Sequence, residues 1–576
     1  MHAGLQQQNT MPDPYVPLDF CPQHWYNYTK IEGEESAMEL KINEPWITSK
    51  VRCQNGYVYI DKAFWNSQKQ QAEHKREYIG KYDGETFTPN KTYYRLQDEY
   101  QRTLTSSKTG PVPVDICLRQ FYGATYLLDR ISEKTGIATD LGKCFGSLAA
   151  QILSIAYYLV IEEGLPMYRF HKWGITHRHP YGKDIPSQRS SELFGLITEE
   201  AKMNYFRYQA KRHGLKEYLA FDTTSISSYS SLIRQARYGK NKEGDRLPQI
   251  NLALLYGEES MLPVYYRKLA GNITDVKMIE NLIKDVDFLK LNKLKLVLDR
   301  GFYSEKNIND LMRHHHKFLI GAKTSLKIVS SRLDSIRDDF VTRFNYNSEL
   351  KLYVMTFTEV WDYTEEKPRS GEIITGKRRI YLHFYYNDQK AADDKARFNA
   401  MLDRLENNLV NGTTEPADEK LYQKYFVIKE TPVRGKTYSF KEDAIRKAEK
   451  DYGYFVLMTN GIKDPMEAIR IYRLRDLIEK SFGNLKERLS MRRMSVASEE
   501  NFEGKLFVQF VALQLMSYIK RQMDENGLFS DHTMQSLLDE LDVIEYYQQP
   551  GKTHHLSEIT QKQYKLYELM GVSAPS

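Results

Sequence analysis

The sequence predicts an α/β fold in which a central sheet is flanked by helices, and three observations carry this prediction. Five short apolar segments between residues 216 and 323 have the length and composition of buried strands. Helical segments separate the later strands from one another. Two of the strands end in an aspartate, at Asp222 and Asp299. Strand ends are where open sheets bind ligands, so these features predict an acidic site at one edge of the sheet.

Each core element follows from the local pattern. The strands are KEYLAFD (216–222), QINLALLYG (249–257), LPVYYRKL (262–269), KLKLVLD (293–299) and KFLIGAK (317–323). Asp275 begins a helix after the third strand, and Ser304 is the expected N-cap of a helix after the fourth. The order β-β-β-α-β-α-β describes an RNase H-like core.

The rest of the chain divides by composition and pattern. We expect residues 1–115 to form a mixed N-terminal domain, with strands in GYVYIDKAFW and HKREYIGKYDGETFTPN and a linker at Pro111 and Pro113. A helical region (116–215) precedes the first part of the core (216–323), which a β-rich insertion (324–450) interrupts. The second part of the core (451–490) contains a long helix, and the C-terminal region (491–576) is helical. Its amphipathic stretch NFEGKLFVQFVALQLMSYIKRQM is expected either to pack on the core or to mediate dimerisation.

Composition excludes several classes of protein. A chain of 576 residues with 41% hydrophobic and 27% charged residues is neither disordered nor a single small domain. None of its four cysteines forms a C-x-x-C pair, so no zinc or redox motif is indicated. The apolar run 148–161 is shorter than the roughly 20 residues that cross a bilayer, and no secretion signal is visible. We therefore expect a soluble, intracellular protein with no membrane partner, and no glycine motif indicates a nucleotide cofactor.

Three acidic residues carry the predicted chemistry: Asp222, Asp299 and Glu479, which lies in the late helix. Neighbouring carboxylates repel one another, so a cation is needed to keep them all ionised. Oxygen ligands without Cys or His favour Mg²⁺ or Mn²⁺. Two such ions can activate an attacking oxygen and stabilise a leaving oxygen on phosphorus. The pattern therefore predicts phosphodiester hydrolysis or transesterification.

The late helix places further polar groups beside Glu479. At about 100° per residue, Tyr472, Arg475, Glu479 and Lys486 lie within about 60° of one helical face. Arg can contact two phosphate oxygens at once, and Lys supplies a point charge. Residues 470–493 contain eight basic and only three acidic residues, which indicates a polyanionic partner.

The pattern Y-x2-R-x3-E-x6-K, after DTT and DRGFYS on earlier strands, resembles the DDE transposases of bacterial insertion sequences. It is most similar to the Y-R-E-K signature group, the insertion-sequence family numbered four and its close relatives. YGATYLLD (122–129) and LPVYYRKLAGNITD (262–275) extend the likeness. The resemblance implies a retroviral integrase-like core, a bacterial cytoplasmic, nucleoid-associated location, and a homodimer that binds double-stranded DNA at transposon ends and target. It also implies two Mg²⁺ (or Mn²⁺) ions per active site.

Residue by residue, the resemblance assigns Asp222, Asp299 and Glu479 to catalysis and metal binding. Tyr472, Arg475 and Lys486 become contacts to transposon-end DNA. In some relatives a Trp in the insertion accepts a flipped base, and Trp361 is the only Trp in this insertion. No basic N-terminal helix-turn-helix is recognisable, so recognition of DNA ends by residues 1–115 is expected from position and from the family likeness, and not from a motif.

Structural alternatives remain for each of these residues. A single strand-end Asp is usually a turn or cap residue. The alternative for Tyr472 is a core aromatic residue, and for Trp361 a core or surface aromatic residue. The alternative for Arg475 and Lys486 is a surface ion pair. Arg300 is expected either to contact the DNA backbone, or to face solvent or pair with a neighbouring acid. For the whole chain, the alternatives to a transposase are a catalytically inactive DNA-binding descendant and an RNase H-like nuclease that only cuts.

Overall fold

The structure is a computed structural model that describes residues 38–42, 44–66, 71–105, 117–214, 217–229, 232–239, 247–288, 293–366, 371–431, 435–473, 475–490, 493–494, 498–551 and 553–576. The chain divides into two compact units: unit 1 comprises Met1–Ile116 with Pro550–Lys552, and unit 2 comprises Cys117–Gln549 with Thr553–Ser576. The linker expected at Pro111 and Pro113 lies outside the described residues.

The described residues of unit 1 form a five-stranded antiparallel sheet and one helix. Asn55 and Gly56 have φ values of 53° and 78°, as a two-residue hairpin turn between paired Gln54 and Tyr57 requires. Apolar side chains of the sheet and the helix form its core, among them Val58, Ile60 and Ile79. The elements are β1 (Met38–Leu40), β2 (Lys50–Gln54), β3 (Tyr57–Asn66), β4 (Gln71–Tyr82), β5 (Phe87–Pro89) and α1 (Lys91–Thr105).

Unit 2 begins with a short strand and a helical layer. The prediction of a helical region from residue 116 is wrong at its start, because Leu118–Phe121 is a strand that pairs antiparallel with Glu545–Gln548. By length and composition, Ile137–Ile161 passes as a candidate membrane span, but most of it is buried inside the unit. The elements are β6 (Leu118–Phe121), α2 (Gly123–Lys134), α3 (Ile137–Phe145), α4 (Ala149–Ile161), α5 (Phe170–Thr176), α6 (Ser187–Leu196) and α7 (Glu199–Gln209).

The core sheet has the predicted RNase H-like topology. Its elements are β7 (Tyr218–Ser228), β8 (Gln249–Gly257), β9 (Pro263–Ala270), α8 (Asp275–Phe288), β10 (Lys295–Leu298), α9 (Glu305–Arg313) and β11 (Lys317–Ala322). The strand order is β9-β8-β7-β10-β11, in which β7, β10 and β11 run parallel and β8 is antiparallel to both of its neighbours. Ser304 caps α9 as expected, because its side chain accepts a hydrogen bond from the Asn307 N–H at 3.0 Å.

The insertion contains helices as well as the expected strands. Its strands between residues 346 and 386 extend the core sheet, whereas those between 426 and 440 pair only with each other. Strand β17 pairs antiparallel with both β11 and β14, so the sheet continues in the order β11-β17-β14-β13-β12. The insertion elements between residues 388 and 449 enclose a separate small core that includes Leu405 and Phe426. The elements are α10 (Lys327–Phe340), β12 (Tyr346–Asn347), β13 (Leu352–Glu366), β14 (Ile373–Tyr386), α11 (Asp388–Val410), α12 (Glu419–Tyr425), β15 (Phe426–Thr431), β16 (Gly435–Phe440), α13 (Glu442–Glu449) and β17 (Tyr454–Thr459).

The C-terminal part supplies the late helix and a core helix. The predicted long helix consists of α14 (Pro465–Arg473), α15 (Arg475–Gly483) and a π-helical turn (Asn484–Arg488). The stretch predicted as an amphipathic helix is α16 (Glu499–Glu525), which is buried on most sides, so it packs within the core. The other elements are β18 (Arg493–Met494), α17 (Met534–Asp542), β19 (Glu545–Gln548), β20 (His555–Leu556) and α18 (Gln561–Leu569).

Candidate active site

Two aspartates lie side by side on neighbouring strands of the core sheet. The last residue pair between β7 and β10 joins Phe221 to Leu298, so Asp222 and Asp299 follow at the same level. Neighbouring parallel strands of a sheet lie about 4.8 Å apart. Two side chains at the same level of such strands lie next to each other when they point to the same face of the sheet. The backbone ladder therefore fixes the relative position of these two residues.

The two aspartates differ in how their strands continue. Asp299 follows the end of β10, as predicted, and its Oδ1 accepts a hydrogen bond from the Arg300 N–H at 2.7 Å. The prediction that Asp222 also ends its strand is wrong, because β7 continues to Ser228. The continuation Thr223–Ser227 pairs with β8. Asp222 thus lies inside β7, at the point where pairing with β10 stops.

Glu479 approaches this edge from α15, which packs against β7. The helix buries Ile478, Ser481 and Phe482, whereas the Glu479 side chain is 59% exposed. The buried face fixes the helix on the sheet and leaves the glutamate free to change rotamer.

Arg475 connects the glutamate to the sheet edge. Its Nη1 lies 3.1 Å from Asp299 Oδ1, and its Nη2 lies 3.1 Å from Glu479 Oε1. The Tyr472 hydroxyl accepts a hydrogen bond from Arg475 Nη1 at 3.0 Å and donates one to Asp299 Oδ1 at 3.4 Å. One guanidinium therefore bridges two of the three predicted carboxylates.

Burial and charge set the protonation of this network. Burial raises the pKa of the Tyr472 phenol, so it stays a hydrogen-bond donor at neutral pH. Burial disfavours the charge of Arg475, but its pKa is nevertheless raised because the Tyr472 oxygen and Asp299 favour the cation. Asp222 contributes in the same direction, which shows that its carboxylate also acts on the guanidinium.

No three His, Cys, Asp or Glu side chains within the described ranges are arranged to hold a metal ion. Glu479 instead contacts Arg475, so the positive charge near the carboxylates comes from the protein. The donors are carboxylate oxygens without sulfur or imidazole, and this chemistry fits a hard divalent cation.

Two residues of the site were missed by sequence reasoning. A Cβ added to Gly321 in β11 would lie 2.6 Å from the Tyr472 hydroxyl and 3.2 Å from the Arg300 nitrogen, so only glycine allows this close approach. A glycine inside a strand was the available signal. Asp275 accepts a hydrogen bond from the Thr223 Oγ1 at 3.2 Å, and its sequence pattern indicated only a helix start.

The other predicted site residues, Arg300, Lys486 and Trp361, lie in different surroundings. Arg300 is exposed and lines the same cleft as Asp299. Lys486 is half-buried on the π-helical turn, whose wider winding changes the angular position expected from a regular α-helix. Trp361 is only 7% exposed, donates a hydrogen bond to Asn309 Oδ1 at 2.7 Å, and lines a separate cavity of about 880 Å³.

The fold and the site define an α/β protein with a carboxylate site at the edge of an RNase H-like sheet. Residues 213–515, more than half of the chain, match the sequence profile of the family described as the transposase DDE domain. The chain belongs to this family of transposases.

One similar solved structure is the cryo-electron microscopy structure of a piggyBac transposase synaptic complex with hairpin DNA. The match has 9% sequence identity and a TM-score of 0.32, and it covers 70% of each chain. At this level the match adds nothing to the fold or to the site. No curated protein matches the chain.

Proposed function

We propose that this protein is a DDE transposase of the Y-R-E-K signature group, which binds the terminal inverted repeats of its own insertion sequence and catalyses cleavage and strand transfer of DNA. The observation that carries the proposal is the convergence of Asp222, Asp299 and the Glu479 helix at one sheet edge. Membership of the transposase family supports the same reaction class. The bacterial cytoplasm, at the nucleoid, is the proposed place of action.

Asp222, Asp299 and Glu479 are the proposed ligands of two Mg²⁺ or Mn²⁺ ions. When bound, such ions polarise a phosphodiester and stabilise charge on its attacking and leaving oxygens. For Glu479 to join this set it must leave Arg475, which its exposure and its position on a helix allow. Arg475 is then released to contact phosphate oxygens.

The remaining polar residues would position the DNA backbone. Tyr472 and Arg475 already contact Asp299, so a phosphate at this carboxylate lies within their reach. Arg300 and Lys486 are the proposed contacts to DNA phosphates farther from the cleavage site. Arg300 directly follows Asp299, and Lys486 lies on the π-helical turn that continues from the Glu479 helix.

Recognition of the transposon ends is proposed for unit 1. Strand β2 pairs with β3 only as far as Asp61, and β5 pairs with β4 only at 80–82, so 62–66 and 71–76 form a two-stranded ribbon. The ribbon exposes Phe64, Trp65 and Lys75. A two-stranded ribbon fits the major groove of B-DNA. Lys75→Gln should weaken binding of end DNA, and unchanged affinity and salt dependence would remove the ribbon from the interface.

Trp361 is proposed as a contact to a base near the cleavage site. The cavity that it lines also contains Tyr303, three residues after Arg300. The indole N–H is already bonded to Asn309, so only the ring offers a contact to a base. The homodimer is proposed from the need to pair two transposon ends.

The test is cleavage of DNA that carries the terminal repeats of the element, in Mg²⁺. Asp222→Asn, Asp299→Asn and Glu479→Gln should each lose at least about 10³-fold in rate and retain binding to the ends, because they remove charge without removing volume. The control is Asp403→Asn, an exposed aspartate on α11 that lines neither the site nor the cavity of Trp361, which should cut normally. Normal cutting by all three site variants would overturn the proposal.

Binding without cutting by the wild-type chain would favour the inactive descendant, and cutting without joining of pre-cut ends would favour the nuclease.

A further inference from the structure

We propose that the cleft between the Asp299 sheet edge and the helical part of the insertion holds a single strand of DNA that continues from the cleavage site. This cleft, called the strand cleft, has a volume of about 880 Å³. Its core side includes Asp299, Arg300 and Lys323, and its insertion side includes Arg397, Phe398 and Lys447. The inference rests on the proposed function, because it names where the cut strand lies.

The strand cleft is continuous with the candidate active site. Tyr472 and Arg475 line it together with Asp299, and these three residues form the hydrogen-bonded network described above. A strand whose phosphate lies at Asp299 therefore has a path toward the insertion without leaving the protein surface.

The charges of the cleft favour a polyanion. Its three acids are all in ion pairs: Asp299 with Arg475 at 3.1 Å, Asp394 with Arg397 at 2.6 Å, and Asp451 with Arg337 at 2.8 Å. Six cations line the same space: Arg300, Lys323, Lys390, Arg397, Lys447 and Arg475.

Three of these cations have no counter-ion in the described part of the chain, namely Arg300, Lys323 and Lys447. All three are exposed. Cations that the fold leaves without acidic partners are available to phosphates, and they lie on both walls of the cleft.

The insertion wall also presents aromatic rings. Phe398 packs edge-to-face against Tyr425 at 5.2 Å and Tyr452 at 5.8 Å between ring centroids, and all three residues line the cleft. The buried Tyr452 hydroxyl has no hydrogen-bond partner among the described residues. Rings beside cations are the usual surface for single-stranded nucleic acid, since every base has a face that can stack.

The size of the cleft argues for one strand. Its volume lies within the roughly 300–1,000 Å³ of small-ligand sites, which suits a few nucleotides and not a duplex. A duplex would contact only the rim, and an acidic peptide would have no use for the aromatic side chains that line the cleft.

The first experiment measures binding of a fluorescent 12-nucleotide single strand to the full chain by anisotropy, in EDTA so that no cleavage occurs. Lys323→Gln with Lys447→Gln should weaken binding about tenfold at 0.1 M salt, and the log–log salt slope should fall by about 1.4, or about 0.7 per lost phosphate contact. The matched control is Lys395→Gln with Lys420→Gln, two exposed insertion lysines outside the cleft, which should bind like the wild type.

The outcomes separate this inference from the proposed function. Wild-type affinity in the cleft variant, or an equal loss in the control, would overturn the strand cleft whether or not the protein cuts DNA. An equal loss for duplex end DNA would also overturn it, because it would indicate general attraction. Failure of wild-type cleavage with an intact cleft effect would overturn the proposed function alone.

A second measurement locates the strand. An oligonucleotide containing 5-iodouracil, photocrosslinked to the full chain, should yield crosslinks to peptides with Phe398, Tyr425 or Tyr452. Crosslinks that map only to other parts of the chain would contradict the inference.

Discussion

The two aspartates and the glutamate of the candidate site are held in different ways. Asp222 and Asp299 belong to adjacent strands whose pairing reaches the preceding residues, so the backbone sets their positions. Glu479 projects from a helix, is 59% exposed, and is oriented by one ion pair to Arg475. The sheet therefore fixes the positions of the two aspartates before any ligand binds, whereas the ion pair with Arg475 sets the orientation of Glu479.

We expect the largest difference between the aspartates and the glutamate in the cleavage rate when the length of each acidic side chain is changed. Asp299→Glu pushes a carboxylate about 1 Å forward from a fixed strand, which should cost about 10²-fold in cleavage rate. Glu479→Asp should cost less than about tenfold, because the exposed side chain can adjust. Rates measured on end DNA in Mg²⁺ check both variants.

Asp403→Glu serves as the control for lengthening an exposed aspartate outside the site and should leave the rate unchanged. Equal losses for Asp299→Glu and Glu479→Asp would show that the glutamate is as rigidly held as the aspartates.

The close packing beneath Tyr472 should give the next largest effect. Gly321→Ala places a methyl group 2.6 Å from the Tyr472 hydroxyl, so the ring must shift away from Asp299. We expect about 1–3 kcal/mol of destabilisation in denaturant unfolding. Gly483→Ala is the control, because nothing lies within 4 Å of its added Cβ and alanine favours helices. Equal stability of the two variants would mean that Tyr472 adapts without cost.

Replacing Arg475, the cation that bridges Asp299 and Glu479, should change metal binding and DNA cleavage in opposite directions. Without Arg475 the carboxylates lose their counter-charge, so Arg475→Gln should bind Mn²⁺ about tenfold more tightly in calorimetry. The same variant should cut end DNA more slowly, because the guanidinium is a proposed phosphate contact. Weaker binding of Mn²⁺ would contradict the idea that Arg475 competes with the metal.

The smallest effect is expected for the phenol. Tyr472→Phe removes one hydrogen bond to Asp299 and one from Arg475, which should cost about 1 kcal/mol in stability. Tyr303→Phe is the control, since its ring lies in the neighbouring cavity. A loss of several kcal/mol would indicate that the phenol organises the whole site.

Local pattern predicted the core strands and their helices well, because their signals lie within a few residues. Ser304 and Asp275 marked helix starts from sequence alone, and QINLALLYG is strand β8 at the predicted residues. The assignment to the DDE transposases from Asp222, Asp299 and Glu479 in their motifs is confirmed by the matched profile, whereas membership of the Y-R-E-K group stays a prediction.

The errors arose where the partner lies far away in the chain. Leu118–Phe121 is a strand only because Glu545–Gln548 pairs with it, and the apolar spacing around it also suits a helix. The extension of β7 past Asp222 depends on pairing with β8, and the insertion strands join the core sheet through β17. The contact of Arg475 with Asp299 was likewise invisible, because spacing along one helix says nothing about the sheet beneath it.

Binding of Mn²⁺ to the full chain, followed by electron paramagnetic resonance, tests most directly whether the three carboxylates act as one site. We predict two bound ions in the wild type and in Asp403→Asn. We also predict loss of at least one ion in each of Asp222→Asn, Asp299→Asn and Glu479→Gln. Wild-type stoichiometry and affinity in all three site variants would contradict the central claim.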